Sequence, residues 1–462
     1  MSPYQPETER LLRRTTERAI AYFRDLDRRP VAPTSEARAA LDGLGSEFPE
    51  SPTPPERVLE MLDAHGSAAT VASNGGRYFG FVTGGTLPAA LAANWLAGAW
   101  NQNAAREVMS PVAAHLEALA VRWSRELLGL PEGADGAFVT GATMANFTGL
   151  AAARHAVLAQ AGWNVEADGL FGAPTITVVV GEESHAAIGK VLSLLGLGRD
   201  RVVRVPTDAQ GRMRTDRLPS VTGPAIVCLQ AGNVNTGAFD PFPSLIEWGH
   251  GLGAWVHVDG AFGLWAAASP RRRHLTTGLA AADSWATDGH KWLNVPYDSG
   301  LVLVRDPLHL RAAMAGPAAA YLAARESTDR FDYTPEMSRR ARGVDAWAAL
   351  VSLGRSGLAA LVERSCEQAA RFATLLREGG CEIRNEVVLN QVLVSFGSDE
   401  RTRRVVQAVQ DDGTCWCGET VWKGRTAMRI SVSSGRTTDD DVERSAAAIL
   451  RAERSVDPPH SH

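Results

Sequence analysis

Short apolar runs alternate with helix-like stretches between about residues 85 and 310, and this pattern constrains the fold more than any other feature. Sustained alternation of apolar and polar residues is mostly absent from these runs, as expected of strands that helices cover on both sheet faces. The pattern predicts an α/β domain with a mostly parallel sheet and a ligand site at the C-terminal strand ends. The predicted strands span 137–140, 175–180, 202–205, 225–229, 254–258, 284–286 and 300–304.

The sequence outside this region predicts further segments that surround the sheet. The opening part holds predicted helices at 15–26 and 54–64, which cannot form a core of their own. We therefore expect it to pack on the main body or on a second subunit. The apolar stretch 89–100 is too short to cross a membrane and predicts a buried helix. The predicted segments are an N-terminal arm (1–84), a large domain (85–342), a small domain (343–453) and a flexible tail (454–462).

The small C-terminal domain has an α+β pattern. Thr438 precedes three aspartates, Asp439 to Asp441, and predicts the N-cap of the last helix. The predicted helices span 344–379, 401–411 and 438–453, and the predicted strands span 388–396 and 427–433.

Composition excludes several classes of protein. Hydrophobic residues make up 45% of the 462 residues, charged residues 21%, and the net charge is -5, values typical of a soluble globular protein. The one basic block, Arg271–Arg273, predicts a solvated loop and not a nucleic-acid site. Neither an N-terminal signal region nor a run of 18 apolar residues is present, so we expect a cytoplasmic protein without membrane contact.

The cysteines also favour a reducing compartment. Five of them are scattered along the chain, an odd number and too few for a disulfide framework. Cys415 and Cys417 are separated by one residue, whereas zinc and redox motifs usually have two. We therefore interpret this pair as partly buried small residues on a strand and expect no metal site.

Polar residues follow several of the predicted strands. Thr140, His185, Asp259 and Lys291 all lie at or just beyond a strand C-terminus. Since parallel strands end at one edge of the sheet, these side chains are expected to share a site.

The turn Gly141-Ala142-Thr143 joins a strand to a helix that begins near Met144. A helix N-terminus presents free N–H groups and a positive dipole end, so it can bind a phosphate. A plain capped helix is the alternative interpretation of this turn. Met144 lies where a nucleotide-binding loop would need glycine, which disfavours a Rossmann or P-loop site.

Asp259 ends the buried run Trp255-Val-His-Val-Asp259, where an unpaired carboxylate is costly. A protonated pyridine nitrogen would pair with it, and the small side chain of Ala261 would let a flat ring lie against the backbone. The alternative is a carboxylate that caps the turn at Gly260.

Lys291 follows His290 and lies between two tryptophans, an unusual place for a solvated charge. A desolvated lysine beside another cationic group is a good nucleophile. His290 can donate to a phosphate, and His185 can stack on a ring and contact a substrate carboxylate. A surface lysine and a histidine that caps a helix are the alternatives. A phosphate cradle, a buried carboxylate and an amine are what pyridoxal 5'-phosphate (PLP) requires.

Arginines offer carboxylate or phosphate sites further along the chain. Arg429 lies on a predicted strand and points opposite to Met428 and Ile430. Its guanidinium group is a natural bidentate partner for a carboxylate. For two of its three arginines, the second cationic cluster, Ser338–Arg342, is at least as consistent with a solvated helix start that carries ion pairs.

Together these residues resemble the group II PLP-dependent amino acid decarboxylases, which include aromatic amino acid, glutamate and diaminobutyrate decarboxylases. The similarity runs from about Arg77 to Arg451. It is most specific in the stretch Asp283–Gly300, which contains Asp-Gly-His-Lys-Trp-Leu-Asn-Val-Pro-Tyr-Asp-Ser-Gly. The other matching segments are Val256–Phe262, Glu183–His185 and Asn235–Pro241.

The resemblance implies PLP fold type I, the aspartate aminotransferase-like fold, with a seven-stranded large domain and a small C-terminal domain. It also implies a homodimer whose active sites lie at the subunit interface. By this resemblance Lys291 forms the Schiff base, Asp259 pairs with the pyridine nitrogen and His185 stacks on the ring. The implied phosphate contacts are Ala142, Thr143 and His290, and the implied substrate pocket contains Phe79, Phe81 and Thr83.

The sequence departs from the family pattern at three places. Asn233 and Val234 replace two threonines that often precede the segment matching Asn235–Gly237. Gly260 replaces an alanine. The stretch 325–336 matches the mobile loop that carries a proton-donating tyrosine, and it offers Tyr333 and also Phe331.

The resulting hypothesis is a PLP-dependent L-amino acid decarboxylase, a carboxy-lyase whose product is an amine. Tyr333, His185 or Lys291 would supply the proton that completes it. The same cofactor site could instead serve an aldehyde-forming oxidative decarboxylase, a C–C lyase or an aminotransferase. A catalytically idle PLP-binding protein is a third hypothesis, which the presence of Lys291, His185 and Asp259 disfavours.

Overall fold

The computed structural model describes residues 4–316 and 329–456, and its larger sheet has seven strands in the order β1-β7-β6-β5-β4-β2-β3. Strands β2 to β6 run parallel to one another, whereas β7 runs antiparallel to both β1 and β6. Its strands are β1 (Asp135–Val139), β2 (Thr177–Gly181), β3 (Val203–Val205), β4 (Ala225–Gln230), β5 (Trp255–Asp259), β6 (Ser284–Asp288) and β7 (Gly300–Val304). Each predicted strand is present, and β6 runs two residues further than expected.

Helices cover both faces of this sheet. Every residue of strands β4 to β7 is buried, which explains why their sequences are apolar runs without alternation. The helices are α1 (Tyr4–Asp25), α2 (Ser35–Ala39), α3 (Pro55–Met61), α4 (Pro88–Trp100), α5 (Pro111–Leu127), α6 (Ala142–Gln160), α7 (Val165–Asp168), α8 (Ala186–Leu194), α9 (Phe242–Gly251), α10 (Pro307–Met314), α11 (Arg342–Glu378), α12 (Asp399–Asp412) and α13 (Asp439–Ser455).

The smaller sheet is antiparallel, with the order β10-β11-β9-β8. Its strands are β8 (Glu382–Ile383), β9 (Gln391–Ser395), β10 (Gly418–Trp422) and β11 (Arg425–Ser431). The sequence did not predict β8 or β10, because β8 has two residues and most of β10 is partly exposed at the sheet edge. The predicted α/β fold, with a mostly parallel seven-stranded sheet and a smaller C-terminal domain, is confirmed.

Helix α11 joins the cores under the two sheets. Its early residues, such as Ala349 and Leu350, pack in the core of the large sheet, and its late residues, such as Phe372 and Leu376, pack in the core of the small one. The helix is broken at Gly354, where φ is 59° and ψ is -178°. That conformation is essentially restricted to glycine.

The stretch 89–100 forms helix α4, but the prediction that it is buried is wrong within a single chain. Trp95, Leu96 and Trp100 expose 42%, 55% and 42% of their surface. Ala90 is its buried residue. The helix is apolar on nearly every side, and the surrounding chain covers part of it. None of the helices in the described ranges combines the length and apolar character of a membrane span.

Two cysteines lie deeper in the protein than the sequence predicted. Cys415 and Cys417 are fully buried, not partly buried, and they precede strand β10 instead of lying on it. All five cysteines are free. No cluster of His, Cys, Asp and Glu side chains that could hold a metal ion occurs among residues 4–316 and 329–456.

Candidate active site

The loop between β6 and β7 carries Lys291 at the edge of the large sheet. Because these two strands are antiparallel neighbours, the loop leaves and re-enters the sheet at the same edge. The Nζ atom of Lys291 lies 3.0 Å from Oδ2 of Asp288. A Cβ atom on Gly84 would lie 1.8 Å from the Lys291 carbonyl oxygen, so the segment that contains Thr83 runs directly over the lysine backbone.

Asn294 fixes this loop to two other parts of the chain. Its amide nitrogen donates to the carbonyl oxygen of Ser433 at 3.0 Å, and its oxygen accepts from the N–H groups of Gly85 and Gly435 at 3.0 and 2.8 Å. The side chain is buried. The position of Lys291 therefore depends on a residue that our sequence reasoning did not single out, although it lies three residues after the lysine.

Asp288 is the second functional residue that sequence reasoning missed. Its carboxylate is almost fully buried, and Oδ1 accepts the N–H of Ala142 at 2.5 Å and lies 3.4 Å from Nε2 of His290. The residue ends β6, and the predicted strand stopped two residues earlier. Asp288 thus touches the amine, the imidazole and the helix amide that were predicted to hold the cofactor.

Asp259 lies at the end of β5, as predicted. Its side chain is buried, and Oδ1 accepts the N–H of Ala261 at 3.2 Å. Burial raises the pKa of Asp259, while the charges of His185 and Lys291 act in the opposite direction. A cationic partner is therefore what would keep this carboxylate ionised.

His185 is the N-cap of α8, and its Nδ1 atom accepts the N–H of Ala187 at 3.2 Å. Although His185 retains exposed surface, desolvation by the protein around its imidazole lowers the pKa of His185, and the charges that act on it are those of Asp259, Lys291, Arg429 and Asp288. His185, Asp259, Lys291 and Arg429 come from four separate segments of the chain. The structure thus brings His185, Asp259, Lys291 and Arg429 to one place.

The predicted phosphate cradle is the start of helix α6. Gly141 is its N-cap, and Thr143 is half-buried in its first turn. His290 accepts the N–H of Ser299 through Nδ1 at 3.1 Å, and its ring stacks on Tyr297 with 4.3 Å between the centroids. A Cβ atom on Gly141 would lie 3.1 Å from His290 Cε1, so glycine lets the helix start approach the imidazole.

Arg429 lies on β11 and points toward the same edge. Its Nη2 atom donates to the carbonyl oxygen of Phe81 at 3.3 Å, and Nη1 donates to Oδ1 of Asn235 at 3.4 Å. Burial lowers the pKa of Arg429 below its usual value. Phe81 and Arg429 line an open cavity of 670 Å³ whose other walls come mostly from α12 and β10, and His185, Asp259 and Lys291 are not among its lining residues. The Phe81 ring stacks on Trp416 with 5.6 Å between the centroids. This region can receive a carboxylate beside an aromatic surface.

Two predicted residues are not part of this cluster. Phe79 is 1% exposed, and its ring packs edge-on against Phe372 in the core of the small domain. Tyr333 is 3% exposed, and it packs in the core on the large sheet with Arg330 over its ring. Neither side chain therefore lines the site in this chain, and Tyr333 is not presented on an exposed loop. Residues 325–328 of the predicted loop lie outside the described residues.

The departures from the family pattern have local explanations. The side chain of Asn233 accepts the N–H groups of Asn235 and Thr236, and it donates to the carbonyl oxygen of Glu183 at 3.2 Å. It therefore fixes the loop just before His185. A Cβ atom on Gly260 would lie 2.7 Å from Cβ of Leu264, which favours glycine at that position.

The Ser338–Arg342 cluster is not a solvated helix start. The side chain of Arg339 is fully buried and binds both oxygens of Glu117, and that of Arg342 is largely buried and binds Asp298. The ion-pair part of that interpretation is correct, but these arginines hold the fold together.

The gathered residues fit PLP. Asp259 is a buried carboxylate in need of a positive partner, and Lys291 is an amine 21% exposed at the same edge. The start of α6 supplies the positive end of a helix, and Gly141 leaves space beside His290. The one feature against a phosphate group there is the carboxylate of Asp288, which already accepts the Ala142 N–H.

Comparison with known proteins agrees with this chemistry. The family model described as "Pyridoxal-dependent decarboxylase conserved domain" matches residues 43–397. The aromatic-L-amino-acid decarboxylase of Bacillus atrophaeus is 24% identical, with 92% of this chain and 90% of the relative covered. The L-2,4-diaminobutyrate decarboxylase of Rhizobium meliloti (strain 1021) is 29% identical, with 80% and 77% covered. The crystal structure of Oryza sativa TDC with PLP and tryptamine has a TM-score of 0.89 at 22% identity, and the match covers 98% and 99% of the two chains.

Proposed function

Because the chain belongs to the pyridoxal-dependent decarboxylase family, and is thus a PLP-dependent carboxy-lyase, we propose that it converts an L-amino acid into the corresponding amine with Lys291 as the amine that holds the cofactor. When bound, PLP supplies an aldehyde for amines and a ring that withdraws electrons from the substrate carbon that loses CO2. The observation that carries the assignment of residues is the convergence of Lys291, Asp259, His185 and Arg429 at one sheet edge.

Each residue of this cluster has a task that its surroundings support. Asp259 holds a positive charge on the ring nitrogen, because a buried carboxylate is stable only beside such a charge. Arg429 binds a carboxylate group of the amino acid, since its guanidinium faces the cavity beside Phe81. His185 packs on the ring. Ala142, Thr143 and His290 contact the phosphate group, and the small Ala261 leaves room for the ring.

The proton that completes the amine comes from Lys291 or His185 in this proposal. Both lie in the cluster, and Asp288 holds the Lys291 Nζ atom at 3.0 Å. Tyr333, the third candidate, lies in the core instead. Phe81 and Thr83 remain the proposed residues of the pocket for the substrate side chain. Phe79 is no longer proposed there, because it packs in the core of the small domain.

We also propose a homodimer with shared active sites. Trp95, Leu96 and Trp100 of α4 are exposed apolar residues, and further along the chain Val108 and Met109 expose 85% and 50% of their surface. Apolar patches of this kind usually mark protein interfaces. Sedimentation analysis would show a dimer for the natural sequence and a monomer after Leu96→Glu and Trp100→Glu.

We propose the same division of the chain that the sequence predicts. It consists of an arm to residue 84, a large domain from 85 to 342, a small domain from 343 to 453 and a tail from 454 to 462. Helix α11 begins at Arg342, next to the second boundary. The five free, buried cysteines support a reducing compartment such as the cytoplasm.

The test is product identification. The PLP-loaded protein is incubated with each proteinogenic amino acid and with several others, and the products are identified by mass. An amine and CO2 in equal amounts from one substrate class support the proposal and name the substrate. An aldehyde with ammonia, a keto acid or a shortened amino acid would replace decarboxylation to the amine with another PLP reaction. Binding of PLP without any turnover would favour the idle protein.

A further inference from the structure

A chain of hydrogen bonds between buried side chains lies within the large domain, below the sheet edge that carries the site. Nε1 of Trp255 donates to Oγ of Ser284 at 2.8 Å. Oγ of Ser284 lies 2.8 Å from Nδ1 of His257, and Nε2 of His257 lies 2.8 Å from Oδ1 of Asn146. Asn146, His257 and Ser284 have no exposed surface. None of these residues takes part in the chemistry proposed above.

The imidazole of His257 is neutral in this environment. Burial lowers the pKa of His257 to about 3. A neutral imidazole has one donor and one acceptor. Nε2–H therefore donates to Asn146, and Nδ1 accepts the hydroxyl proton of Ser284, whose oxygen accepts the N–H of Trp255. Every bond of the chain then has one donor and one acceptor.

The side-chain amide of Asn146 destabilises the fold at one atom, which indicates that its oxygen has a role as a hydrogen-bond acceptor. Its Nδ2 atom is buried and has no hydrogen-bond partner among the described residues. A buried polar group without a partner is unfavourable, so a purely structural position would favour an apolar residue. The bond from His257 to Asn146 Oδ1 explains why an amide occupies it.

The three elements joined by this chain each carry a cofactor contact. Asn146 lies on α6 four residues after Ala142, one helical turn from the predicted phosphate cradle. His257 lies on β5 two residues before Asp259, so both side chains project from the same face of the strand. Ser284 opens β6, the strand that ends at Asp288 and leads to Lys291.

Helix α6 packs closely against the imidazole of His257, so that these hydrogen bonds can form. A Cβ atom on Gly149 would lie 3.0 Å from Cε1 of His257 and 3.6 Å from Cβ of Ser284. Gly149 is three residues after Asn146 and thus on the same side of α6. Helix α6 consequently rests on the imidazole, and a shift of His257 would move the helix start relative to Asp259.

We propose that His257 is a positioning residue that fixes the spacing between the phosphate-binding start of α6 and the carboxylate of Asp259. This inference rests on the proposed function, which assigns those two groups to two different parts of PLP, the phosphate group and the ring nitrogen. One rigid molecule that bonds to both gains from anchors held at the matching separation. Pyridoxal, which lacks the phosphate group, engages the Asp259 anchor without the other and gains nothing from the spacing.

The experiment compares the affinities of the full chain for PLP and for pyridoxal, by titration followed in the visible absorption of the bound cofactor. Asn146→Ala removes the hydrogen bond between His257 and α6. Ser284→Ala deletes only a hydroxyl group from β6 and removes the hydrogen bond on the other side of the imidazole. We expect each to weaken PLP binding by about tenfold or more and pyridoxal binding by less than about threefold. The ratio of the two affinities is the quantity that a general loss of stability does not change.

Gln368→Ala is the control. This buried glutamine donates to the carbonyl oxygen of Thr437 and to Oδ1 of Asp439 in the small domain. It should lower the unfolding temperature without changing the ratio. Equal losses for both ligands in Asn146→Ala and Ser284→Ala, or unchanged PLP binding, would overturn the inference. Failure of the natural protein to bind PLP would instead contradict the proposed cofactor contacts themselves.

Discussion

Two ion pairs flank the start of helix α6, and they differ in burial and in the number of bonds that hold them. Arg339 binds both oxygens of Glu117 at 2.8 and 3.0 Å and the carbonyl oxygen of Phe138 at 2.5 Å. Lys291 meets Asp288 through one nitrogen and one oxygen at 3.0 Å. The side chain of Arg339 is fully buried, whereas that of Lys291 is 21% exposed.

The difference matches two kinds of task. A bidentate guanidinium pair with a further carbonyl bond is rigid, because no single rotation releases it. A single ammonium contact lets the amine leave by rotating its flexible stem. The first pair therefore holds strand β1 in place, and the second holds an amine that must be able to move.

The largest expected effect comes from removing the movable partner. Lys291→Ala should lower the rate of amine formation by about 10⁴-fold or more, because the proposed nucleophile is lost. It should lower the free energy of unfolding by less than Arg339→Met does, since Lys291 is 21% exposed and Asp288 keeps its contacts with Ala142 and His290. Product formation and urea unfolding measure the two effects.

Lys190→Ala is the control for this change, because Lys190 is an exposed lysine on α8. It should leave both quantities unchanged. Turnover of the Lys291 variant within tenfold of the natural rate would remove Lys291 from the mechanism.

The second effect concerns stability. Arg339→Met leaves the Glu117 carboxylate buried without its partner, so we expect a loss of about 3–5 kcal/mol in the free energy of unfolding. The double variant Arg339→Met with Glu117→Leu should recover much of that loss, because no buried charge remains. Both values come from chemical denaturation. A loss below about 1 kcal/mol for the single variant would mean that the two pairs do not differ as proposed.

The third effect is on cofactor affinity. Asp288→Asn keeps the size of the side chain and removes a negative charge next to the predicted phosphate contact, so PLP should bind about fivefold to tenfold more tightly. Asp283→Asn is the matched control. It lies just before the other end of β6, where its carboxylate accepts the N–H of Val256. The control should not change PLP affinity, and weaker PLP binding by Asp288→Asn would show that the carboxylate helps to hold the cofactor.

The smallest effect is expected at Tyr333, which belongs to neither pair. Tyr333→Phe removes a hydroxyl group from a side chain that packs under Arg330 in the core. The turnover rate should stay within about twofold, and the unfolding free energy within about 1 kcal/mol. The amine should remain the product. A switch to an aldehyde would place this tyrosine at the reacting carbon after all.

The positions of polar residues just after the predicted strands were enough to predict which strand ends carry the site. His185, Asp259 and Lys291 converge because parallel strands end at one edge, a rule that needs only the order of strands. Asp288 was missed for a related reason. It lies inside the specific stretch around Lys291, but the predicted strand ended at residue 286, so its side chain was not considered as part of the strand end.

The direction of side chains could not be predicted in irregular segments. Phe79 and Phe81 are two residues apart and would share a face in a regular strand. The backbone turns between them, since φ is 56° at Phe81, and the two rings enter different environments. One packs on Phe372 and the other on Trp416. A tertiary contact of this kind leaves no periodic signal in the sequence.

The break at Gly354 has a consequence for how the two halves of the site meet. Arg429 belongs to the small sheet and Lys291 follows a strand of the large one, and the two parts of helix α11 on either side of Gly354 join the two cores. The angle at Gly354 sets the direction in which the rest of that helix leaves the large domain. The backbone conformation of one glycine therefore determines the direction of the second half of this helix, and with it the placement of the small sheet that carries Arg429.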